Sequence, residues 1–94
     1  MTPHQTNVVL VGKKPPMNYI LAAMRLFQEG ASEVVVKARG MNICKAVDVA
    51  ERLTGTFMKD VKVKQVSIGS DEIQDEQGRT RKVSTIEIVL AKEA

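Results

Sequence analysis

Tryptophan is absent from this chain of 94 residues, aromatics are confined to Tyr19, Phe27 and Phe57, and there is one cysteine and one histidine. Each scarcity excludes something. With so few rings the interior must be aliphatic, built from Val, Ile, Leu, Met and Ala. Cys44 has no second cysteine to pair with in the chain and cannot build a metal cluster. It lies in a helical pattern, where it reads as a small buried apolar residue, and a lone thiol fits a reducing compartment. His4 sits in a polar N-terminal stretch, so no Ser/His/Asp or Cys/His arrangement falls on ordered elements. Asp48 and Glu51 share a helix face by spacing, but as a solvated pair rather than a catalytic dyad. Metal ligands are not grouped, and no cofactor is expected. No apolar run approaches membrane-spanning length, and residues 1–7 lack the basic-then-apolar order of a signal peptide. The expectation is a cytoplasmic protein that is not an enzyme and has no membrane partner.

What is present is a modest positive charge, unevenly spread. The formal net charge is +3. Between residues 12 and 45 the bases are Lys13, Lys14, Arg25, Lys37, Arg39 and Lys45, against Glu29 and Glu33 alone. Beyond residue 46 acids and bases nearly balance. A charge excess gathered in one half is what a polyanion-binding face requires.

Hydrophobic periodicity predicts one domain over residues 1–94, with a loose tail at residues 1–6. Residues 7–11 read as a strand whose continuous Val-Val-Leu-Val implies burial on both faces and a central place in a sheet. Residues 12–16 form a turn. From Met17, apolar residues at Met17, Ile20, Leu21, Met24 and Phe27 mark one helix face, with Pro16 suited to the first turn and Gly30 to a left-handed stop. Residues 31–39 alternate as a strand, placing Val34, Val36 and Ala38 on one face and Val35, Lys37 and Arg39 on the other. After Gly40 a second helix sets Ile43, Ala46, Val47, Ala50 and Leu53 on its apolar face and ends near Gly55. Residues 61–70 are a strand whose phase slips, and either a bulge near Lys64 and Gln65 or burial on both faces explains the slip. Residues 71–82 form a long polar hairpin turning at Gln77-Gly78, and residues 83–92 are the last strand. The order β-α-β-α-β-β is an α/β two-layer sandwich, with two helices on one face of the sheet.

Three constellations carry candidate chemistry, each with a bland alternative. The turn Gly12-Lys13-Lys14-Pro15-Pro16 presents two lysines on a proline-stiffened backbone that loses little entropy on binding. The lysines would contact phosphates as point charges. The alternative is an ordinary solvated loop, and the turn lacks the glycines and Ser/Thr of a nucleotide phosphate loop. Lys37 and Arg39 point to the same strand face about 7 Å apart, and Lys45 extends that stripe. The alternative is a solvated sheet face. On the hairpin, Arg79, Arg81 and Lys82 cluster on the returning limb, suited to a narrow, negative minor groove. The alternative is that they neutralise Asp71, Glu72, Asp75 and Glu76 on the outgoing limb.

Four segments give these features a family likeness: Val11-Gly12-Lys13-Lys14-Pro15 with Met17-Asn18-Tyr19; Val36-Lys37-Ala38-Arg39-Gly40; Lys45-Ala46-Val47-Asp48; and Val83-Ser84-Thr85-Ile86-Glu87-Ile88. In this order and spacing the chain resembles Alba, the archaeal chromatin protein family, over nearly its full length. The resemblance implies a fold similar to the C-terminal domain of bacterial translation initiation factor three. It implies an architectural homodimer that binds double-stranded DNA with little sequence preference, compacting or coating the chromosome, and that also binds RNA. It places the lysine turns of two subunits near the dimer axis and sends the hairpins outward along the duplex. Carried over to this chain, those roles fall on Lys13, Lys14, Arg39, Arg79 and Arg81. Asn18 and Tyr19 match the pattern after the turn, with Tyr19 either contacting nucleic acid or bracing the loop. The resemblance also implies acetylation of Lys13 or Lys14 as a control, and contact between dimers near Phe57.

The chain departs from the family pattern at Met41, where many relatives are basic, at Pro16, which replaces a small aliphatic residue, and in the acidic outgoing limb. Two other functions stay open on the sequence: an RNA-directed ribonucleoprotein subunit or RNA chaperone on the same scaffold, and a protein-interaction or ligand-binding α/β subunit with an incidental positive face. The thin aliphatic core and the apolar richness of residues 83–90 predict a homodimer, since a second copy buries surface that a chain this size leaves exposed.

Overall fold

A computed structural model describes residues 7–93. The loose tail expected at residues 1–6, with His4, lies outside the described residues. The element order is β1 (Val8–Leu10), α1 (Pro16–Gln28), β2 (Glu33–Arg39), α2 (Ile43–Arg52), β3 (Val61–Gln74) and β4 (Thr80–Lys92). The strands form one sheet in the order β1-β2-β4-β3. β1 runs parallel to β2, and β4 is antiparallel to both β2 and β3. The expected α/β sandwich is the observed architecture.

Alternation along the strands decides the two faces of the sheet. Val34, Val36 and Ala38 stand opposite Leu90, Ile88 and Ile86. These six residues are buried, in one cluster with Ile20, Ala23 and Phe27 of α1 and Ala46, Val49 and Ala50 of α2. Both helices therefore cover one face. The other face, with Lys37, Arg39, Thr85 and Glu87, is open. Phe27 is the one ring in an otherwise aliphatic core, and no buried polar side chain interrupts it among the described residues.

Local signals explain most boundaries. Pro15 and Pro16 open α1, with Pro15 extended at φ −62° and ψ 155°. Gly30 closes it at φ 109°. The amide of Ala31 donates to Leu26 and that of Gly30 to Phe27, the paired bonds of a Schellman stop that only a left-handed residue allows. The strand slip near Lys64 is a bulge: the β3–β4 register shifts between Val63 and Gln65. As a result Val61, Val63, Val66 and Ile68 all share the helix-side face.

Several expectations fail for reasons of position. β1 is an edge strand, not a central one. Leu10 is 71% exposed because it falls on the open face beside Lys37. Met17 and Leu21 of α1 are exposed, since α1 lies over the sheet edge and no strand extends beneath that flank. In α2 the buried stripe is Ala46, Val49 and Ala50, continued by Leu53. Val47 lies off that stripe, and Cys44 is exposed rather than buried. α2 does not stop at Gly55: its last turn widens over Leu53–Phe57, where the amide of Met58 reaches back to Leu53. Finally, the hairpin over residues 71–82 is mostly strand, extending the strands expected at residues 61–70 and 83–92. β3 and β4 stay paired out to Gln74 and Thr80, leaving a tight turn with Gly78 at φ 82°.

Candidate nucleic-acid interface

The parallel pairing of β1 with β2 fixes where the charges gather. Leu10 lies opposite Lys37, and the Val11 amide donates to the Lys37 carbonyl at 2.8 Å. The turn that follows β1 therefore emerges beside Arg39, at the C-terminal end of β2. The β3–β4 ladder projects past that same end, because Arg39 is level with Thr85 and the ladder continues to Thr80. All three constellations read from the sequence thus meet at one end of the sheet. An open hollow lined by Leu10, Gly12, Lys37, Arg39, Asn42 and Asp71 joins the turn to the open sheet face.

The turn is the simplest part. Lys13 and Lys14 are exposed, and among the described residues neither forms an ion pair. Its backbone is held from both helices. The Lys14 amide donates to the Tyr19 hydroxyl at 3.0 Å. The Lys45 ammonium donates to the carbonyls of Gly12 at 2.7 Å and Lys14 at 2.8 Å. Tyr19 braces the loop, and Lys45 turns back to the lysine turn instead of extending the strand stripe. Asn18 is exposed in the first turn of α1, its amide donating to Pro15 at 3.0 Å. That first turn carries no acid, so the positive end of the helix dipole adds to the field of the lysines.

The strand stripe is different. Lys37 and Arg39 lie on the open face as the alternation predicts, but each meets an acid. Lys37 pairs with Glu87 at 3.5 Å, and Arg39 with Asp71 at 3.7 Å. Both pairs are solvent-exposed, so each is worth about 0–1 kcal/mol. A phosphate could displace either carboxylate at small cost.

At the hairpin tip one acid organises the turn. The Asp75 carboxylate accepts from the amides of Gln77 and Arg79, both at 2.9 Å. It also faces the Arg79 guanidinium at 3.4 Å, and Arg79 donates to the Gln77 side chain. Arg81 and Lys82 stand in the ladder opposite Ile73 and Glu72. Arg81, in phase with Val83 and Thr85, follows the open face, and Lys82 the other. Phe57 is exposed but lies at the far end, where Val61 is level with Lys92, so it does not join the basic end. Met41, 93% exposed, follows Gly40 at the basic end and brings no charge to it.

Among the described residues no three His, Cys, Asp or Glu side chains group as a metal site requires. Among the described residues no helix is long and apolar enough to cross a membrane. Local pattern could not have shown the Lys45 clamp, which joins residues 31 and 33 apart in the chain.

Comparison with known proteins places this geometry. The Alba family model matches residues 7–70. The "DNA/RNA-binding protein Alba" of Methanococcus maripaludis is 53% identical over 87 residues, covering 92% of this chain and 98% of that protein. Among solved structures, Alba from Thermoplasma volcanium superposes with a TM-score of 0.86 at 43% identity, over 92% of this chain and all of that one. ALBA1 from Trypanosoma brucei superposes with a TM-score of 0.77 at 30% identity, over 97% of this chain and 73% of that one.

Proposed function

The chain belongs to the Alba family, and from that premise we propose that it is an architectural protein that binds double-stranded DNA, and RNA, through phosphate contacts with little base readout. The observation that carries this reading is the lysine turn: two cations with no acidic partner among the described residues, on a backbone clamped by Lys45 and Tyr19. Support also comes from the 53% identical relative, whose name states DNA/RNA binding. In this reading Lys13 and Lys14 hold the phosphate backbone, with Asn18 beside them. Lys37 and Arg39 join once phosphate displaces Glu87 and Asp71. Arg79, Arg81 and Lys82 extend the contact along the duplex. Acetylating Lys13 or Lys14 would remove charge at the centre of the site. The protein is a chromosome-associated binding protein and not an enzyme, acting in the cytoplasm as one nucleic-acid-binding domain.

A second copy is the partner we propose for the bulged strand. Val63, Val66 and Ile68 continue the core face of β4 onto β3, yet are 47%, 53% and 83% exposed. Burying such a side chain fully is worth about 1.5–3 kcal/mol, so a self-complementary row of three, repeated by symmetry, favours a homodimer. Light scattering should find a dimer at micromolar concentration, and a monomer there would contradict it. Phe57, at the opposite end from the lysine turn, is left for contact between dimers on nucleic acid.

Affinity for random-sequence duplex, measured across salt concentrations, tests the function. A steep linear fall of log affinity with log salt is expected. Binding that ignores salt, or no binding, would return the chain to the interaction-subunit class. The reading directed to RNA rests on the same relative's name. Competition between duplex DNA and structured RNA at matched salt separates the two.

A further inference from the structure

Among the described residues, Lys45 is the one cation at the basic end with two donors bonded to the protein's own backbone. From this we propose that Lys45 is a positioning residue, which shapes the lysine turn for phosphate and does not itself bind phosphate. The inference rests on the nucleic-acid reading above.

The turn cannot hold itself. Among the described residues, no backbone–backbone hydrogen bond outside the helices and strands involves Gly12, Lys13 or Lys14. Pro15 and Pro16 have no amide to donate. The carbonyls of Gly12 and Lys14 would otherwise be left to water, and the segment between β1 and α1 would be free to sample many conformers. Lys45 removes that freedom. An ammonium has three donors and no acceptor, and two of the three go to the carbonyls that bracket Lys13, at 2.7 and 2.8 Å. Charge-assisted bonds of this length are the stronger class. The Tyr19 hydroxyl accepts from one amide of the turn, that of Lys14. A residue on α2 and a residue on α1 therefore fix the backbone on which Lys13 and Lys14 are mounted.

The choice of lysine for this clamp matters electrostatically. A carboxylate could not bond carbonyls, and a neutral amide would supply fewer donors. Lysine supplies the donors and leaves the local charge positive, so the clamp does not compete with the anion for Lys13 and Lys14. Its benefit is pre-organisation: ordering the turn before binding avoids an entropic cost at the moment of contact.

The test is Lys45→Met, which keeps the apolar stem and removes the donors. Three quantities are read: melting temperature, backbone ¹⁵N order parameters in the free protein, and the salt dependence of binding to random-sequence duplex. Lys13→Met is the control for a direct contact. For Lys45→Met the melting temperature should stay near the parent's, and the order parameters at Lys13 and Lys14 should fall toward the flexible range, below about 0.6. Affinity should drop about three- to tenfold, with a log–log salt slope close to the parent's. Lys13→Met should keep the turn ordered but flatten the slope by about 0.9 per lost contact. If Lys45→Met flattens the slope like Lys13→Met while the turn stays ordered, Lys45 is itself a phosphate ligand and the proposal is overturned. It is equally overturned if neither order nor affinity changes. Should the parent fail to bind duplex at all, the functional reading fails, and the order parameters still decide whether Lys45 holds the turn.

Discussion

The lysine turn and the hairpin tip solve the same structural problem with opposite charges. Each is a short exposed turn that carries basic residues and is held by a side chain bonded to two backbone groups. At the lysine turn the holder is a cation, Lys45, bonded to two carbonyls. At the tip it is an anion, Asp75, bonded to two amides. The sign of the holder decides what remains for a ligand. Lys45 leaves Lys13 and Lys14 without an acidic neighbour, whereas Asp75 also takes the guanidinium of Arg79. Lys37 and Arg39 are likewise matched, by Glu87 and Asp71. Positive residues counted along the chain are therefore not equivalent. Those on a cation-held turn are available at once, and those beside an acid become available only by exchange.

This contrast orders the expected effects of substitution. Lys13→Ala with Lys14→Ala should be the most damaging change. In a dimer it removes four charges from one site, and the log–log salt slope should shrink by several units at about 0.9 per contact. The fold should be untouched, since both side chains are exposed. An unchanged slope would place the binding face elsewhere. Arg79→Ala with Arg81→Ala should weaken binding less, and at every sequence tested, with the melting temperature nearly constant because the surface pair it breaks is worth about 0–1 kcal/mol. If that variant binds as well as the parent, the arginines merely neutralise Asp75 and Glu76. The smallest effect, and opposite in direction, is expected from Asp71→Asn. Freeing Arg39 from its carboxylate should tighten binding slightly and steepen the slope by no more than about 0.9 per subunit. A loss of affinity there would mean that Asp71 orients Arg39 rather than competing for it.

Much of this was legible before any coordinates. Element order, the Gly30 stop, the bulge beside Lys64 and the exposed lysine turn all follow from local signals: periodicity, turn chemistry, a phase slip. The failures are non-local. The run of residues 8–11 looks central because it is uniformly apolar, but a strand's place in a sheet depends on which partners pair, and β4 takes the inner side of β2. Helix pattern alone puts Cys44 in the core, whereas the buried stripe is set by the sheet beneath Ala46, Val49 and Ala50. The length of the hairpin's strands is hidden because residues 71–74 and 80–82 are polar apart from Ile73, so no alternation marks them as strand. The acids opposite Lys37 and Arg39 come from other strands, as the clamp on the lysine turn comes from another helix. Sequence thus located the basic residues well, and their partners poorly.

The central claim is that nucleic acid is held at one end of the sheet, by the turn, the end of β2 and the projecting ladder together. Titrating isotope-labelled protein with a random-sequence duplex and following backbone amide shifts tests it most directly. Perturbations should gather at residues 12–19, 37–45 and 71–82, strongest at Lys13 and Lys14. A shift pattern centred on the far end, around Phe57 and the start of β3, would contradict it.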